Sequence, residues 1–463
     1  MQKLFDYYIP EDIVHISNIL LSYNHELRLV GGAVRDSLRG KQVSDFDLAT
    51  SATPEQIQKI FQYNKNYLLI PTGIAHGTLT LVVNKNNYEI TSYRIDGIYS
   101  DNRHPDQVSF TTSLEEDLSR RDFTINAIAV DPITREIIDP FNGQDDINRK
   151  IIKTVGDPTQ RFKEDALRML RACRFASKLE YQINPSTLTA IKELSCHIND
   201  VSQERIRDEI MKTLTSNKPS IGFNLLHDLA LLPIILPELE EGYGVEQNEF
   251  HKYDVYRHNV ETCNHMSKDN LIGRLAALLH DIGKPRAKKF ALKIGNGNVF
   301  YNHEIIGAKM TKNLMKRLKF SNEEINTCVL LVELHMFYYT SDWHDGAIRR
   351  FLKRFDGNID FLNLLFKLRE ADRNGSGTKK NSPYILQEFR KRIDNILKDD
   401  AALKVSDLDI NGTQLIELLN LKPSPIIGQI LHHLLELVLD DPKINTYDVL
   451  ISEATAFINS KSI

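Results

Sequence analysis

The chain has 463 residues, of which 41% are hydrophobic and 26% charged. That length predicts about three domains at roughly 100–200 residues each, and the composition excludes a disordered, collagen-like or disulfide-scaffold protein. With 58 Lys+Arg against 62 Asp+Glu the formal net charge is −4, so a nucleic-acid partner must be met by a local basic surface.

Cys173, Cys196, Cys263 and Cys328 are scattered and form no C-x-x-C, which predicts free thiols in a cytosolic compartment. The N-terminus has no basic segment followed by an apolar run. No apolar stretch approaches the roughly 20 residues that span a bilayer. A soluble, cytoplasmic protein without a membrane partner is expected.

Residues 11–23 are apolar at helical spacing and predict an amphipathic helix. The runs LRLVGG, VSDFDLAT, HGTLTLVV and YEITSYR predict strands mixed with helices to about residue 150. Gly31-Gly32-Ala33-Val34-Arg35-Asp36 follows the first of them. Paired glycines let backbone N–H groups approach a phosphate, with Arg35 in reach of it, although a tight turn at a strand end reads the same way. Asp45-Phe46-Asp47 comes next. On a strand, residues i and i+2 share a face, so Asp45 and Asp47 would stand side by side and call for a divalent cation such as Mg²⁺. A polar turn is the alternative. Glu89 is a third carboxylate on a predicted strand, either completing that cluster or pairing with Arg94. Arg120-Arg121-Asp122-Phe123-Thr124 offers guanidinium groups for phosphate or ribose oxygens and a carboxylate for a sugar hydroxyl, or else a helix start capped by Asp122 or Thr124.

From about residue 160, helical patterns succeed one another and β-branched runs become scarce. The segment 164–179, EDALRMLRACRFASKL, predicts a helix on which Asp165 and Arg168 are i,i+3 neighbours and Arg171 and Arg174 continue the row. An ion-paired, solvated helix face is the competing reading. LLPIILPELEEGYG suggests a joint near residue 245, and NGSGTKKNSP at 374–383 a linker. Trp343 and the aromatic residues of 337–339 read as core.

The ordered set GGAVRD, DFD, RRDFTINA, DPFNGQDDI (139–147), EDALR and ERIRDE (204–209) resembles the class II tRNA nucleotidyltransferases and their bacterial poly(A) polymerase relatives. The resemblance implies an α+β chain: a mixed-sheet nucleotidyltransferase head (1–150), then an all-α neck (151–245), body (246–376) and tail (377–463). It implies that Asp45 and Asp47 hold Mg²⁺ and activate the terminal 3′-hydroxyl of tRNA. Gly32 and Arg35 would hold the triphosphate, and Arg120, Arg121 and Asp122 the ribose. Asp165 and Arg168 would select CTP or ATP through the base without a nucleic-acid template, and Arg171 and Arg174 would support that pocket. A carboxylate accepts from an exocyclic amine, which cytosine and adenine carry and uracil and guanine do not present there. Asp96–Pro105 resembles the flexible segment that CC-adding members lack, and the basic tail of the poly(A) polymerases is missing. CCA addition is therefore expected, with A-only addition the alternative.

His258, His280-Asp281, His303, His335 and Asp372 form a second spaced series. His280-Asp281 ends the apolar run RLAALLHDIGKP, where Gly283 and Pro285 are expected to close the helix. Adjacent His and Asp can ligate one ion there, with His258 and Asp372 closing the ring. The pattern resembles the HD phosphohydrolase superfamily, whose minimal set is H…HD…D, and His303 and His335 match its two-metal members. That resemblance implies an HD domain over 246–376, one or two divalent ions, and phosphoester hydrolysis as an accessory activity or, alternatively, as the main one acting on RNA ends. Chance spacing among fifteen histidines is the competing reading. The stretch 284–319 is strongly basic, with Glu304 its one acidic residue, and is either a solvated face or an RNA-backbone contact. The segments 410–412 and 423–428 resemble the family's tRNA-clasping tail. Whether the chain acts as a monomer or a homodimer stays open.

Overall fold

The computed structural model describes residues 5–74, 77–96, 108–247, 252–293, 299–377, 383–398 and 403–460. The chain divides into two compact units: Met1–Val245 with Ser267–Leu275 and Lys312–Ile325, and Glu246–Met266 with Ala276–Thr311 and Asn326–Ile463. The expected flexible segment, beyond Asp96, lies outside the described residues.

In the first unit, α1 (Glu11–Ser22) buries Ile13, Ile16 and Leu20, as its apolar spacing predicts. The strands are β1 (Leu27–Val30), β2 (Asp47–Thr50), β3 (Leu68–Gly73), β4 (Thr78–Val83), β5 (Asn86–Ser92), β6 (Arg94–Asp96), β7 (Val108–Phe110), β8 (Ala129–Val130), β9 (Ile137–Ile138), β10 (Ile151–Ile152) and β11 (Gln182–Ile183); the last two pair in parallel, so the neck expected to be all-α carries a short ladder. Seven of them form one sheet in the order β3-β4-β5-β2-β1-β8-β9, while β6 and β7 pair separately. Within the main sheet β2 and β5 run parallel and the other neighbours antiparallel. A parallel pair needs a long crossover. Here it is supplied by α3 (Pro54–Phe61), capped by Thr53 and Gln56, together with the β3–β4 hairpin. Val30, Ala49 and Ala129 from the sheet pack with the fully buried Tyr93, Leu118, Ala127 and Val155.

GGAVRD does not make a tight turn. Helix α2 (Gly31–Leu38) begins directly where β1 ends. Gly31 has φ +70°, and a Cβ there would lie 3.0 Å from Asp47 Oδ2. An L-residue would be strained both by its backbone and by that carboxylate.

The helices that follow are α4 (Leu114–Ser119), α5 (Gly143–Arg149), α6 (Pro158–Glu164), α7 (Leu167–Leu179), α8 (Pro185–Leu194), α9 (Gln203–Leu214) and α10 (Pro219–Asp228). The helix expected over 164–179 is broken. Asp165 is extended, with φ −148° and ψ 103°, between the end of α6 and the start of α7. Its Oδ1 accepts from the backbone N–H of Leu167 at 3.1 Å, so the carboxylate competes with helical continuation, as aspartates do at helix starts. Residues 232–240 fold as two short helices, α11 (Leu232–Ile235) and α12 (Pro237–Glu240).

Beyond Ile183 the described residues contain no strand. The later helices are α13 (Val255–His265), α14 (Leu271–Leu279), α15 (Lys284–Lys293), α16 (His303–Arg317), α17 (Asn322–Leu334), α18 (Asp345–Lys353), α19 (Ile359–Gly375), α20 (Pro383–Lys398), α21 (Gly412–Leu418), α22 (Pro425–Asp440) and α23 (Tyr447–Ser460). Helix α13 lies against α19, where a Cβ on Gly375 would meet Thr262 Oγ1 at 2.3 Å. Tyr339, Trp343 and Phe337 gather on Phe389 as core, although Tyr338 between them is exposed. No described helix is long and apolar enough to cross a membrane.

Candidate functional site

Strand β2 begins at Asp47, so Asp45 lies in the extended approach to the strand and not within it. The alternation survives: Phe46 is buried while Asp45 and Asp47 face outward. The parallel register sets Asp47 opposite Glu89, which places the third carboxylate beside the first two. Asp47 feels all of them. Desolvation by the surrounding protein raises its pKa, the charges of Asp45 and Glu89 add to the rise, and Arg121 and the Gly32 N–H only partly oppose it. Three oxygen donors held together against their own repulsion form a group that a hard divalent cation would stabilise.

This edge opens on a cavity of about 530 Å³. Asp47 and Glu89 line it on one side, with Gly31, Gly32 and Arg35 beside them. Arg120, Arg121, Asp122, Asp165, Arg168, Arg171 and Arg174 line the rest. The resemblance had placed phosphate, ribose and base contacts on these same residues, and the fold brings all of them to one space.

The arginines are not loose. Asp117, 1% exposed, holds Arg120 Nη2 at 2.5 Å and Arg121 Nη2 at 3.1 Å. Arg35 is 4% exposed, donating to Asn126 Oδ1 at 2.7 Å and to Asp36 at 2.7 Å. Arg168 does not pair with Asp165. It donates to Glu164 at 2.6 Å and to the Arg120 carbonyl at 3.0 Å, while Asp165 takes Arg205 at 2.7 Å. Arg174 pairs with the buried Glu209 at 2.6 Å. The Phe175 ring lies under Arg35, Arg171 and Arg174, 4.1–5.5 Å from their guanidinium carbons. Such preorganised cations meet developing phosphate charge without having to reorganise. Lys178 also lines the cavity; burial lowers its pKa, and the charges of Arg35 and Arg174 lower it further.

Asp122 caps no helix by its side chain. It accepts from the Phe123 N–H and the Asn126 amide, and Arg171 grips it through Nε at 2.8 Å and Nη2 at 2.5 Å. Burial alone would raise its pKa, but Arg171 and the other donors outweigh burial and hold it at about 2. A depressed carboxylate stabilises the fold above its unfolded pKa of about 4, and that contribution disappears as pH falls through the folded value. Asp122→Asn should therefore cost about 2 kcal/mol at pH 7. Thermal melts of wild type and variant should converge as pH falls from about 4 towards 2; a gap that persists unchanged would refute the pairing.

Sequence reasoning missed Asp117, Asn126, Glu164, Phe175, Lys178, Arg205 and Glu209. Phe175 and Lys178 sit on the same helix as the arginine row, a signal available in the spacing. Asp117 and Glu164 pair with arginines three and four positions away, a signal the spacing also held, whereas Asn126, Arg205 and Glu209 take partners distant along the chain.

The second unit holds the other predicted constellation. His258 comes from α13, His280 and Asp281 follow α14, His303 opens α16, His335 follows α17, and Asp372 lies on α19. Gly283 and Pro285 do not close α14, which ends at Leu279. Pro285 sits in the first turn of α15, where its missing N–H costs nothing. Gly283 lets α16 approach, since a Cβ there would fall 2.0 Å from the His303 carbonyl oxygen. Asp281 faces both halves of the cluster. Its Oδ2 lies 3.4 Å from His258 Nε2 and 3.3 Å from His280 Nε2; its Oδ1 lies 3.2 Å from His303 Nε2 and 3.5 Å from His335 Nε2. Asp372 Oδ1 is 3.1 Å from His258 Nε2.

The Nδ1 atoms of His280, His303 and His335 face backbone carbonyls of Ala277, Phe300 and Val332 at 2.7–2.8 Å. A carbonyl only accepts, so Nδ1 carries the proton and the Nε2 lone pair faces the cluster. Asp281 Oδ1, His303 Nε2 and His335 Nε2 are buried and make no hydrogen bond among the described residues. His258, His280 and Asp372, and likewise His280, Asp281 and His335, bring ligand atoms within 4.8 Å of one another. Burial disfavours charge on His280, yet Asp281 and Asp372 raise its pKa to about 10. The carboxylates thus demand positive charge, which a divalent cation could supply in place of that proton. Lys284, 2.5 Å from Asp281 Oδ2, is a neighbour that the ligand pattern did not include. The basic stretch is not one face: Lys284 is buried and Arg317 pairs with Glu238, whereas Lys309, Lys312 and Lys316 are exposed.

A mixed sheet that sets clustered carboxylates beside a glycine-opened helix, over a pocket walled by arginines, defines a nucleotidyltransferase. Family models agree: the poly(A) polymerase head domain matches residues 27–153, the RNA- and SrmB-binding region of polymerase A 180–242, and tRNA nucleotidyltransferase domain 2 301–454. The A-adding tRNA nucleotidyltransferase of Deinococcus radiodurans is 32% identical over 88% of this chain and 90% of its own. The CCA-adding enzyme of Enterococcus faecalis is 31% identical over 96% of each. The crystal structure of the Bacillus stearothermophilus CCA-adding enzyme in complex with CTP superposes with a TM-score of 0.69 at 25% identity, covering 98% of this chain and 99% of that one. The chain belongs to the tRNA nucleotidyltransferase family.

Proposed function

We propose that this nucleotidyltransferase adds C, C and A to the 3′ end of tRNA from CTP and ATP, without a nucleic-acid template, in the cytoplasm. The observation that carries the reading is the single cavity holding Asp47 and Glu89 at one side and Asp165, Arg168, Arg171 and Arg174 at the other. The CCA-adding relatives named above support the choice of product. In this reading the head spans 1–150, the neck 151–245, an HD body 246–376 and the tail 377–463.

Members of this family use a divalent metal, and Asp45 and Asp47, with Glu89 adjacent, would hold Mg²⁺. When bound it neutralises charge at the α-phosphate and makes the 3′-hydroxyl easier to deprotonate. The hydroxyl oxygen forms a bond to the α-phosphorus, the bond to the bridging oxygen of the β-phosphate breaks, and pyrophosphate leaves. Gly32 and Arg35 border the phosphate end, and Arg120 and Arg121, steadied by Asp117, meet the equatorial oxygens. Asp122 is the acceptor for a ribose hydroxyl. Asp165 accepts from the exocyclic amine of cytosine or adenine, and Arg168 donates to ring nitrogen or carbonyl. Uracil and guanine would turn a carbonyl oxygen towards a carboxylate.

The test uses three tRNA transcripts: lacking CCA, ending in C-C, and complete. With Mg²⁺, CTP and ATP the first should gain C, C and A and the last nothing. Growth only of the C-C transcript, by one A, would make this an A-adding enzyme. No addition to any transcript would overturn the reading.

The converging Nε2 atoms of the second unit favour an additional activity. His258, His280, Asp281 and Asp372 would hold one divalent ion, and His303 and His335 a second across Asp281. Paired ions at such a site would support phosphoester hydrolysis at RNA ends.

A further inference from the structure

Helix α7 runs along the cavity, and its lining residues fall in a definite order. Arg168 stands at the start of the helix, next to Asp165; Arg171 follows and grips Asp122. Arg174 and Phe175 come next, with Arg35 over the Phe175 ring, and Lys178 comes last. Arg171, Arg174, Phe175 and Lys178 are spaced three or four apart and share one face. From Arg168 to Lys178 the helix advances about 15 Å. Under the roles proposed above, the base meets Asp165 and Arg168, the ribose meets Asp122, and the phosphates meet Arg35. Lys178 therefore stands beyond the ribose, at the phosphate end. It is exposed yet lines the cavity, which puts it at the open side.

Charge at that end is unbalanced. Asp36 is already held by Arg35 at 2.7 Å and by Arg39 at 3.1 Å. Partial desolvation lowers the pKa of Lys178, and the guanidiniums of Arg35, Arg174 and Arg39 lower it further, with Asp36 opposing them. An ammonium kept among guanidiniums is repelled until an anion enters. A chain of phosphates supplies that anion.

We propose that Lys178 binds the terminal phosphates of the nucleotide: its ammonium donates to β- and γ-phosphate oxygens of CTP or ATP and holds them as they leave as pyrophosphate. The proposal rests on the nucleotide-addition reading above. Arg35 meets the phosphates from α2, and Lys178 closes on them from α7. A compact ammonium on a flexible stem can follow the phosphates as the bond to the α-phosphorus breaks, which a guanidinium fixed by Asn126 and Asp36 cannot. A lysine in the last turn of a helix also suits the helix dipole. That role alone would change stability and leave phosphate affinity as it was.

The test uses the full chain with Mg²⁺ and the variants Lys178→Gln and Lys178→Arg. Calorimetric titration measures the affinity for pyrophosphate, CTP and CMP without RNA, and transcript extension gives KM for CTP and for the tRNA. Lys178→Gln should weaken pyrophosphate and CTP about tenfold or more, as expected for losing one charge-assisted hydrogen bond. CMP, which lacks the terminal phosphates, should bind as before, and KM for the tRNA should not move. Lys178→Arg should keep most of the affinity, because a guanidinium also pairs with phosphate. Unchanged pyrophosphate binding with a raised KM for the tRNA would place Lys178 on the RNA backbone and overturn the proposal. A lowered melting temperature with every affinity intact would leave only the helix-end role and overturn it too. A wild type that binds no CTP and extends no transcript would instead sink the nucleotide-addition reading itself.

Discussion

Asp47→Asn is expected to lower nucleotide addition by about 10³-fold or more while leaving the head folded, judged by the size of effects when one charge-stabilising group leaves an active site. The carboxylate is the first residue of β2, with the Gly32 N–H donating to it and Asp45 and Glu89 close enough to disfavour its ionisation. That repulsion is tolerated for the sake of a cation, so its removal takes away a metal ligand and relieves strain together. Because the folded state raises the pKa of Asp47, its charged form destabilises the fold at neutral pH. The Asn variant should therefore melt no lower than the wild type at pH 7. Transcript extension and a thermal melt on the same preparation check both halves. Retained addition would remove Asp47 from catalysis, and lost addition with a collapsed melt would make its role structural.

The second large effect concerns the other unit. His280→Ala should weaken divalent-metal binding there by more than about 100-fold, since even groups behind a metal's ligands commonly contribute 10–100-fold. It should also abolish hydrolytic opening of a 2′,3′-cyclic phosphate at an RNA end to the terminal phosphomonoester. Addition of C, C and A should persist, because the head's cavity shares no side chain with this cluster. Removing a buried imidazole from between Asp281 and Asp372 leaves carboxylates short of positive charge, so His335→Gln serves as the milder companion variant. Equilibrium dialysis with Mn²⁺ measures the first effect, and the gain of a phosphatase-removable terminal phosphate on the RNA measures the second. Metal retained by both variants would mean that the cluster is not the binding site. A wild type that binds metal but hydrolyses nothing would leave metal binding standing and dismiss the phosphohydrolase.

The outcome at Asp165 shows how far pattern alone could reach. Placing Asp165, Arg168, Arg171 and Arg174 on one helix face put the right residues together for the wrong local reason. A carboxylate that binds the N–H two residues on ends one helix and begins another, and this preference is weak enough that helical periodicity hides it. The glycine pair carried a similar ambiguity. Strand, turn and helix start all accept glycine, and only the closeness of Asp47 to Gly31 shows why a side chain is excluded there. In the second unit the ligand types were plain from the sequence. The turn holding His280 and Asp281 was misread because Pro285 suits the first turn of a helix as well as the end of one.

Short-range order is what the sequence by itself determined. The alternation through Asp45, Phe46 and Asp47, the buried stripe of α1, and the spacing of arginines on α7 all follow from repeat lengths of two and 3.6 residues, which each segment carries within itself. The tertiary structure decided who meets whom. Glu89 stands beside Asp47 because β2 and β5 pair in parallel, Arg171 closes on Asp122 and Arg205 on Asp165 because helices bring them together, and six ligands from five helical segments turn inward on one point. Those pairings depend on packing between elements far apart in the chain, and the charges they confront in a low-dielectric interior set the pKa values and the chemistry of both sites.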